Sequence, residues 1–206
     1  MMLKLTTTNL SRRFGSRKLF SDLNFELTTG DSMAITGPNG SGKSTLMMIL
    51  TGLLRPSKGS VAYCDGDVKL TESARRSRVA FVAPYLNLYD QLTGEENLKF
   101  FAAVSGISLT GKVINHNLSR IGLQGRGGDP VGEYSSGMKQ RLKYGVALSG
   151  DPDFIFLDEP TCNLDDNGKK TAFEMIEELR NRCVIVIATN EKREYGLGVQ
   201  QCRLGQ

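Results

Sequence analysis

Continuous apolar runs recur along the chain and are set apart from each other by long polar or mixed stretches. Each run is only four or five residues long and shows no alternation of apolar with polar positions. This pattern is typical of strands that are covered on both faces in a parallel sheet. The runs are residues 33–36, 79–82, 154–157 and 184–188. They predict the central sheet of an α/β protein.

Two other patterns surround these runs. Short alternating segments near residues 3–5, 23–27 and 61–63, separated by Gly and Ser, predict an N-terminal antiparallel β lobe. Residues 169–180 carry apolar positions at helical spacing, with acidic residues left for solvent. This segment predicts a helix between the last two strands of the parallel sheet.

The region from Thr93 onward has a helical pattern and many glycines. Thr93 followed by Glu96 resembles a capping box, with Thr93 as N-cap and Glu96 at the third helical position. We predict a helical subdomain over residues 93–133, inserted into one domain that spans residues 1–206. Residues 1–92 and 134–206 then form the core.

Composition limits the class of protein. A chain of 206 residues with 39% hydrophobic residues suffices for one α/β domain with a full core. No apolar stretch approaches the roughly 18 to 20 residues that span a bilayer, and residues 1–4 do not open a secretion signal. Four widely spaced cysteines predict reduced, mostly buried thiols. The net charge of +4 is mild and scattered, so nucleic acid is not an expected partner.

A glycine-rich loop follows the apolar run at residues 33–36. The sequence GPNGSGKST fits G-x-x-x-x-G-K-[ST] and precedes a helix-like segment, which is the context of a P-loop. The glycines free backbone amides for a polyphosphate, Lys43 is suited to its terminal phosphates, and Ser44 to Mg²⁺. The predicted phosphate-binding residues are Gly37, Pro38, Asn39, Gly40, Ser41, Gly42, Lys43, Ser44 and Thr45.

Two carboxylates end the apolar run at residues 154–157. Ligands collect at the carboxyl ends of strands in open α/β sheets, so Asp158 is a candidate Mg²⁺ ligand, directly or through a water molecule. Glu159 follows at once and suits a base that polarises an attacking water. Taken alone, the pair is equally consistent with a polar strand end; the P-loop favours catalysis.

A third motif, YSSGMKQR from Tyr134, distinguishes the chain from other P-loop proteins. Together with GPNGSGKST and FIFLDEPTCNLD, it resembles the nucleotide-binding subunits of ABC transporters over nearly the whole length. The resemblance implies a P-loop NTPase fold, ATP and Mg²⁺ as ligands, ATP hydrolysis, and two chains that sandwich two nucleotides head to tail.

The resemblance also implies roles for further residues. The turn of Ser135, Ser136, Gly137 and Met138 would contact ATP held by a second subunit, which is expected to be an identical chain. Phe14 occupies the place of the aromatic residue that stacks on adenine, although a lone Phe is more often a core residue. Asp165 matches the D-loop aspartate, near the dimer seam and able to position Glu159 across it.

The chain departs from the family pattern at two positions. After residues 79–82 the family usually has a Gln, where this chain reads Ala83-Pro84-Tyr85. Asn190 stands in the place of the switch His, and the single histidine, His116, lies in the helical insertion. Asn cannot become cationic, so we expect a slow ATPase; an ATP-gated dimer without hydrolysis is the competing hypothesis.

The function expected from these features is that of an ATP-hydrolysing motor for a separately encoded integral membrane permease. It would be a peripheral protein on the cytoplasmic face of the membrane, soluble when isolated. Residues 86–93 are the candidate docking surface for that permease, unless Leu88 and Leu92 are core residues. The alternative is a soluble ABC-type ATPase that acts in protein-complex assembly or nucleic-acid handling.

Overall fold

The computed structural model describes residues 2–205, including every side chain in that range except those of Lys192 and Arg193. Nine strands and seven α-helices follow one another in these residues. The strands are β1 (Leu3–Phe14), β2 (Arg17–Thr28), β3 (Ser32–Thr36), β4 (Lys58–Asp65), β5 (Val68–Lys69), β6 (Val79–Val82), β7 (Phe154–Asp158), β8 (Val184–Ala188) and β9 (Gln200–Arg203). The helices are α1 (Lys43–Leu50), α2 (Glu72–Arg76), α3 (Gly94–Val104), α4 (Gly111–Arg120), α5 (Ser136–Leu148), α6 (Asp166–Arg180) and α7 (Lys192–Tyr195), with a 3-10 turn at Val131–Glu133.

The strands form two sheets, as the hydrophobic pattern predicts. An antiparallel sheet has the order β2-β1-β4-β5, and a parallel sheet has the order β6-β7-β8-β3-β9. The predicted fold class, an α/β P-loop NTPase with an antiparallel lobe and inserted helices, is therefore confirmed. The antiparallel strands are longer than the alternating segments indicated, because β1 and β2 continue through register shifts to a turn at Gly15, which has a φ of +55°.

The parallel sheet separates two hydrophobic clusters. Successive residues of a strand point to opposite faces, so Phe154 and Phe156 pack with the β lobe and α1. Ile155 and Leu157 pack on the other side, among the helices α3 to α6. Both faces are covered, which is why these strands read as unbroken apolar runs.

An arginine joins the antiparallel lobe to the parallel sheet. Arg78 lies directly before β6 and pairs with Asp65 at the end of β4, 3.0 Å away, and with Asp153 directly before β7. Arg76 pairs with Glu72 on the same helix. Of the three arginines in residues 75–78, Arg76 and Arg78 therefore have acidic partners within the chain.

The four thiols are less buried than their spacing suggested. Cys183 is buried, but Cys64, Cys162 and Cys202 are only partly covered, so the expectation of mostly buried thiols is wrong. Cys202 lies on β9, the edge strand of the parallel sheet, whereas Cys64 lies on β4, between β1 and the two-residue β5.

A buried asparagine holds the loop that enters the helical region. Asn97 on α3 accepts a hydrogen bond from the Tyr89 amide at 2.9 Å and donates to the carbonyls of Tyr89 and Thr93 at 3.0 Å each. It has no exposed surface. The predicted capping box of Thr93 and Glu96 is present at the same turn. One side chain therefore satisfies three backbone groups of a loop that has no regular structure.

We predict that Asn97→Leu destabilises the protein by about 2–4 kcal/mol, because the backbone groups it serves lose their partners while staying buried. Thermal unfolding should show a midpoint lowered by roughly 5–15 °C. Asn115→Leu on the exposed face of α4 is the matched control and should change stability by less than about 0.5 kcal/mol. Equal midpoints for the two variants would contradict this account of the loop.

Candidate functional site

The loop between β3 and α1 surrounds an open site for an anion. Gly42 caps α1 with φ +104° and contributes no side chain, so the first amides of the helix are not satisfied by a cap. Gly37 has φ +145°, and a Cβ there would lie 2.5 Å from the Leu204 carbonyl oxygen. The loop geometry thus requires glycine at both positions.

Lys43 is folded back onto this loop. Its ammonium donates to the carbonyls of Gly37 at 2.8 Å and Pro38 at 3.3 Å. Burial lowers the pKa of Lys43, while the nearby carboxylates of Glu159 and Asp158 act in the opposite direction. The charge is thereby held at the loop and close to both carboxylates.

Asp158 at the end of β7 is a buried carboxylate with one unsatisfied oxygen. Only 1% of the residue is exposed, and its Oδ1 has no hydrogen-bond partner among the described residues. Burial raises the pKa of Asp158 above its usual value, and the Glu159 carboxylate adds to this, whereas a hydrogen bond from Ser44 acts in the opposite direction. A buried anionic oxygen without a partner beside the Ser44 hydroxyl fits a hard cation such as Mg²⁺.

Glu159 is held in a strained backbone conformation. Its φ is +48°, which is rare for a side chain with a Cβ, and its amide donates to the Ala188 carbonyl of β8 at 2.8 Å. The side chain lines two hollows at once: a groove of about 520 Å³ beside α1 and a cavity of about 380 Å³ beside α7. Strain of this kind is concentrated at functional sites, because the surrounding structure must enforce it.

The groove brings most of the predicted phosphate-binding residues together with an aromatic ring. Phe14 is 49% exposed, so the alternative that it is a core residue is wrong. The guanidinium of Arg12 stacks over its ring at 4.3 Å, and Arg17 donates to the Gly40 carbonyl at 3.1 Å. The groove is lined by Phe14, Arg17, Leu19, Asn39, Gly40, Gly42, Lys43, Ser44, Thr45 and Glu159.

Asn190 follows β8 and reaches the same loop. Its amide group hydrogen-bonds the side chain of Asn39, and its carbonyl accepts from the Tyr195 hydroxyl at 3.4 Å. This amide pair joins the end of β8 to the glycine-rich loop.

The YSSGMKQR motif opens α5 at a distance from this groove. Ser135 is the N-cap and accepts from the Met138 amide, so Ser136, Gly137 and Met138 form the first helical turn. None of the four lines the groove. Asp165 is likewise an N-cap, of α6, and accepts from the Gly168 amide at 2.8 Å. These residues present helix N-termini to solvent and not to the groove of their own chain.

Comparison with known proteins identifies this arrangement. A family model described as ABC transporter matches residues 20–162. The chain belongs to this family. It is 33% identical over 188 residues to the Nod factor export ATP-binding protein I of Burkholderia lata, covering 90% of this chain and 62% of that one. It is also 33% identical over 191 residues to the lantibiotic transport ATP-binding protein SrtF of Streptococcus pyogenes, covering 92% and 80% of the two chains.

Solved structures agree on the fold of this ABC family member. The ADP- and phosphate-bound dimer of the ATP-binding cassette MJ0796 has a TM-score of 0.84 at 23% identity, covering 97% of this chain and 94% of that chain.

A further relative is much longer than this chain. The probable multidrug ABC transporter ATP-binding protein YbhF of Escherichia coli is 33% identical over 184 residues. The chain spans only 32% of YbhF. Among residues 2–205, no helix is both long and apolar enough to cross a bilayer.

Three polar residues near the site were not singled out from the sequence. The Tyr85 hydroxyl lies 3.5 Å from Oδ2 of Asp158, and Lys143 on α5 reaches the loop that carries Tyr85. Glu194, which is 1% exposed, accepts from the Thr161 hydroxyl beside Glu159 and by a further hydrogen bond from Thr189. Of the three, only Lys143 left a signal in the sequence, because it stands among the apolar positions of α5 and could have indicated a buried polar contact.

We predict that Asp158→Asn raises the stability of the nucleotide-free protein by about 1 kcal/mol, because it removes a desolvated charge whose Oδ1 has no hydrogen-bond partner within the described part of the chain. The pKa of Asp158 is raised by folding, so the wild-type chain loses stability as pH rises through that pKa. The stability difference between the variant and the wild-type chain should therefore be largest at neutral pH. It should vanish as pH falls below the pKa that Asp has in the unfolded chain. Thermal unfolding between about pH 4 and 8 measures it; a gain independent of pH would be incompatible with this origin.

Proposed function

We propose that this chain is an ATP-binding and ATP-hydrolysing subunit of an ABC transporter, which drives a separately encoded integral membrane permease. The observation that carries the proposal is the meeting of Lys43 and Glu159 in one groove at the carboxyl end of the parallel sheet, with the buried Asp158 carboxylate close to Lys43. Relatives named as ATP-binding proteins of transporters support it. The names of these relatives differ in cargo, so no cargo is assigned.

In this proposal the glycine-rich loop holds the phosphates. Residues 37–45 direct backbone amides at the triphosphate, and Lys43 exchanges the carbonyls of Gly37 and Pro38 for phosphate oxygens. Ser44 and Asp158 hold Mg²⁺. Among residues 2–205 no cluster of three or more His, Cys, Asp or Glu is preformed as a metal site, in keeping with a cation that takes most of its remaining ligands from phosphate and water.

Hydrolysis depends on Glu159 and Asn190. Glu159 lies between the groove and the second cavity, so its carboxylate is suited to orient a water toward the terminal phosphate. Asn190 supplies a neutral amide to the same phosphate. A cationic His at this position would stabilise the negative charge of the transition state more strongly. Phe14 provides the ring for adenine, and the stacked Arg12 restrains that ring on its other side.

A second copy of the chain completes the site. Residues 135–138 form an exposed helix N-terminus that serves no groove of its own chain, which suits a γ-phosphate held by the opposite subunit. Asp165 lies at the start of α6, on the proposed dimer seam. The dimer found for MJ0796 supports this arrangement.

The permease docks beside α3. In this proposal residues 1–92 and 134–206 form the nucleotide-binding core and residues 93–133 the helical subdomain, and the docking surface lies where the two meet. Leu88 packs against the core, so that part of the predicted surface is unavailable. Tyr89 and Phe100 are 46% and 41% exposed and their rings meet edge to face at 4.8 Å. An exposed aromatic pair is suited to a helix of the permease, which holds the chain on the cytoplasmic face of the membrane.

We expect Asn190→His to raise the ATP hydrolysis rate by about 10- to 100-fold, because it adds one charge-assisted hydrogen bond to the transition state. Steady-state phosphate release from the purified chain measures this. Asn115→His on exposed α4 is the matched control and should leave the rate unchanged. An unchanged rate for Asn190→His would refute the assigned role, and absence of single-turnover phosphate release from the parent would favour ATP-gated dimerisation alone.

The membrane partner is tested by co-purification from mild-detergent extracts. We expect the Glu159→Gln form, held in ATP, to recover one integral membrane protein in stoichiometric amount. The change Tyr89→Ala together with Phe100→Ala should abolish recovery, whereas Val68→Ala, at a 68% exposed position on β5, should not. Recovery of soluble proteins alone would instead favour the alternative, an ABC-type ATPase of protein-complex assembly.

A further inference from the structure

The loop at residues 83–86, where the family usually has a glutamine, is hydrogen-bonded by a lysine of α5. Lys143 lies on α5, is only 9% exposed, and donates to the carbonyls of Pro84 at 2.5 Å and Ala83 at 3.4 Å. Burial lowers the pKa of Lys143. Burial of a lysine is costly unless its ammonium is hydrogen-bonded, and here the carbonyls of the loop meet that need.

The same loop places the Tyr85 hydroxyl near Asp158, the candidate Mg²⁺ ligand. The Ala83 carbonyl accepts from the Leu86 amide at 3.1 Å, which closes a turn around Pro84 and Tyr85. The Tyr85 hydroxyl then lies 3.5 Å from Oδ2 of Asp158, and the ring meets Phe81 edge to face at 6.1 Å. Oδ1 of the same carboxylate remains free for a cation.

These contacts form a continuous path. The helix α5 begins at the Ser135 cap, two turns before Lys143, and Lys143 touches the turn that carries Tyr85. We infer that Lys143 and Tyr85 act together as positioning residues: Lys143 fixes the turn at residues 83–86, and the Tyr85 hydroxyl orients the Asp158 carboxylate toward Mg²⁺. The inference rests on the proposed ATPase function and deepens it.

The pair accounts for one of the two departures from the family, the loop at residues 83–85. Pro84 offers no side-chain polar group, but its carbonyl and its restricted backbone provide a fixed anchor for Lys143. The phenol supplies the polar group that the loop otherwise lacks. Because Lys143 is part of α5, one helix carries both the turn at residues 135–138 and the contact to the turn that bears Tyr85.

The test compares Tyr85→Phe, Lys143→Met and the double variant in the full-length chain, each on the Glu159→Gln background. The affinity for a fluorescent ATP analogue is measured at increasing Mg²⁺ concentration, and the readout is the Mg²⁺ concentration that gives half of the full increase in affinity. Each single change should raise this Mg²⁺ midpoint about 3- to 10-fold, as expected for one lost hydrogen bond. The double variant should match the larger single effect, because both residues act through one contact. Lys112→Met on exposed α4 is the control and should change nothing.

The outcomes separate the inference from the function on which it rests. Tight Mg²⁺-dependent binding in the parent with an unchanged midpoint in Tyr85→Phe, or with effects that multiply in the double variant, would overturn the inference and leave the ATPase intact. Failure of the parent to bind the analogue would overturn the function itself. In the Glu159 form, both single changes should lower kcat and leave KM for ATP within about 2-fold at saturating Mg²⁺. Tyr85→Phe removes one surface-accessible hydroxyl, so it provides the same test if Lys143→Met fails to fold.

Discussion

The structure depends on the parallel pairing of β8 between β7 and β3. That pairing aligns Asp158 with Ala188 and Ile35 with Ala188, so the ends of three strands lie side by side. Hydrogen bonds continue past the sheet, from the Glu159 amide to Ala188 and from the Thr189 amide to Ile35. Residues that are more than 150 positions apart along the chain thereby share one rim, and the loops that leave it carry the candidate residues Lys43, Glu159 and Asn190.

Two charged groups at this rim are desolvated without an ion-pair partner in contact among the described side chains. Asp158 is buried with an unpartnered oxygen, and Lys43 is partly desolvated on carbonyls of its own loop. A ligand of the opposite charge would stabilise each group further, a cation for Asp158 and a phosphate for Lys43. Under the proposed function, part of the stability of this region would then depend on the bound nucleotide.

The helix α5 connects this rim to the rest of the molecule. Tyr144 donates to the Pro160 carbonyl beside Glu159 at 2.8 Å, and Lys143 donates to carbonyls of the turn at residues 83–86. Near the start of the helix, Lys139 pairs with Asp90 at 2.8 Å. Side chains of one helix therefore contact the loop after β7, the turn after β6 and the loop before α3.

The sequence by itself determined the parallel strands, the phosphate loop and the carboxylates, because each is a local pattern: unbroken apolar runs, glycines at fixed spacing and a polar pair after a strand. It also indicated α3 through the Thr93 capping box. The full lengths of β1 and β2, the exposure of Phe14 and the packing of Leu88 required the tertiary structure, because bulges and burial depend on neighbours distant in sequence. The contacts of Lys143, Tyr85 and Glu194 were decided only there as well. Each joins elements that meet through the order of the sheet, and no spacing along the chain records that meeting.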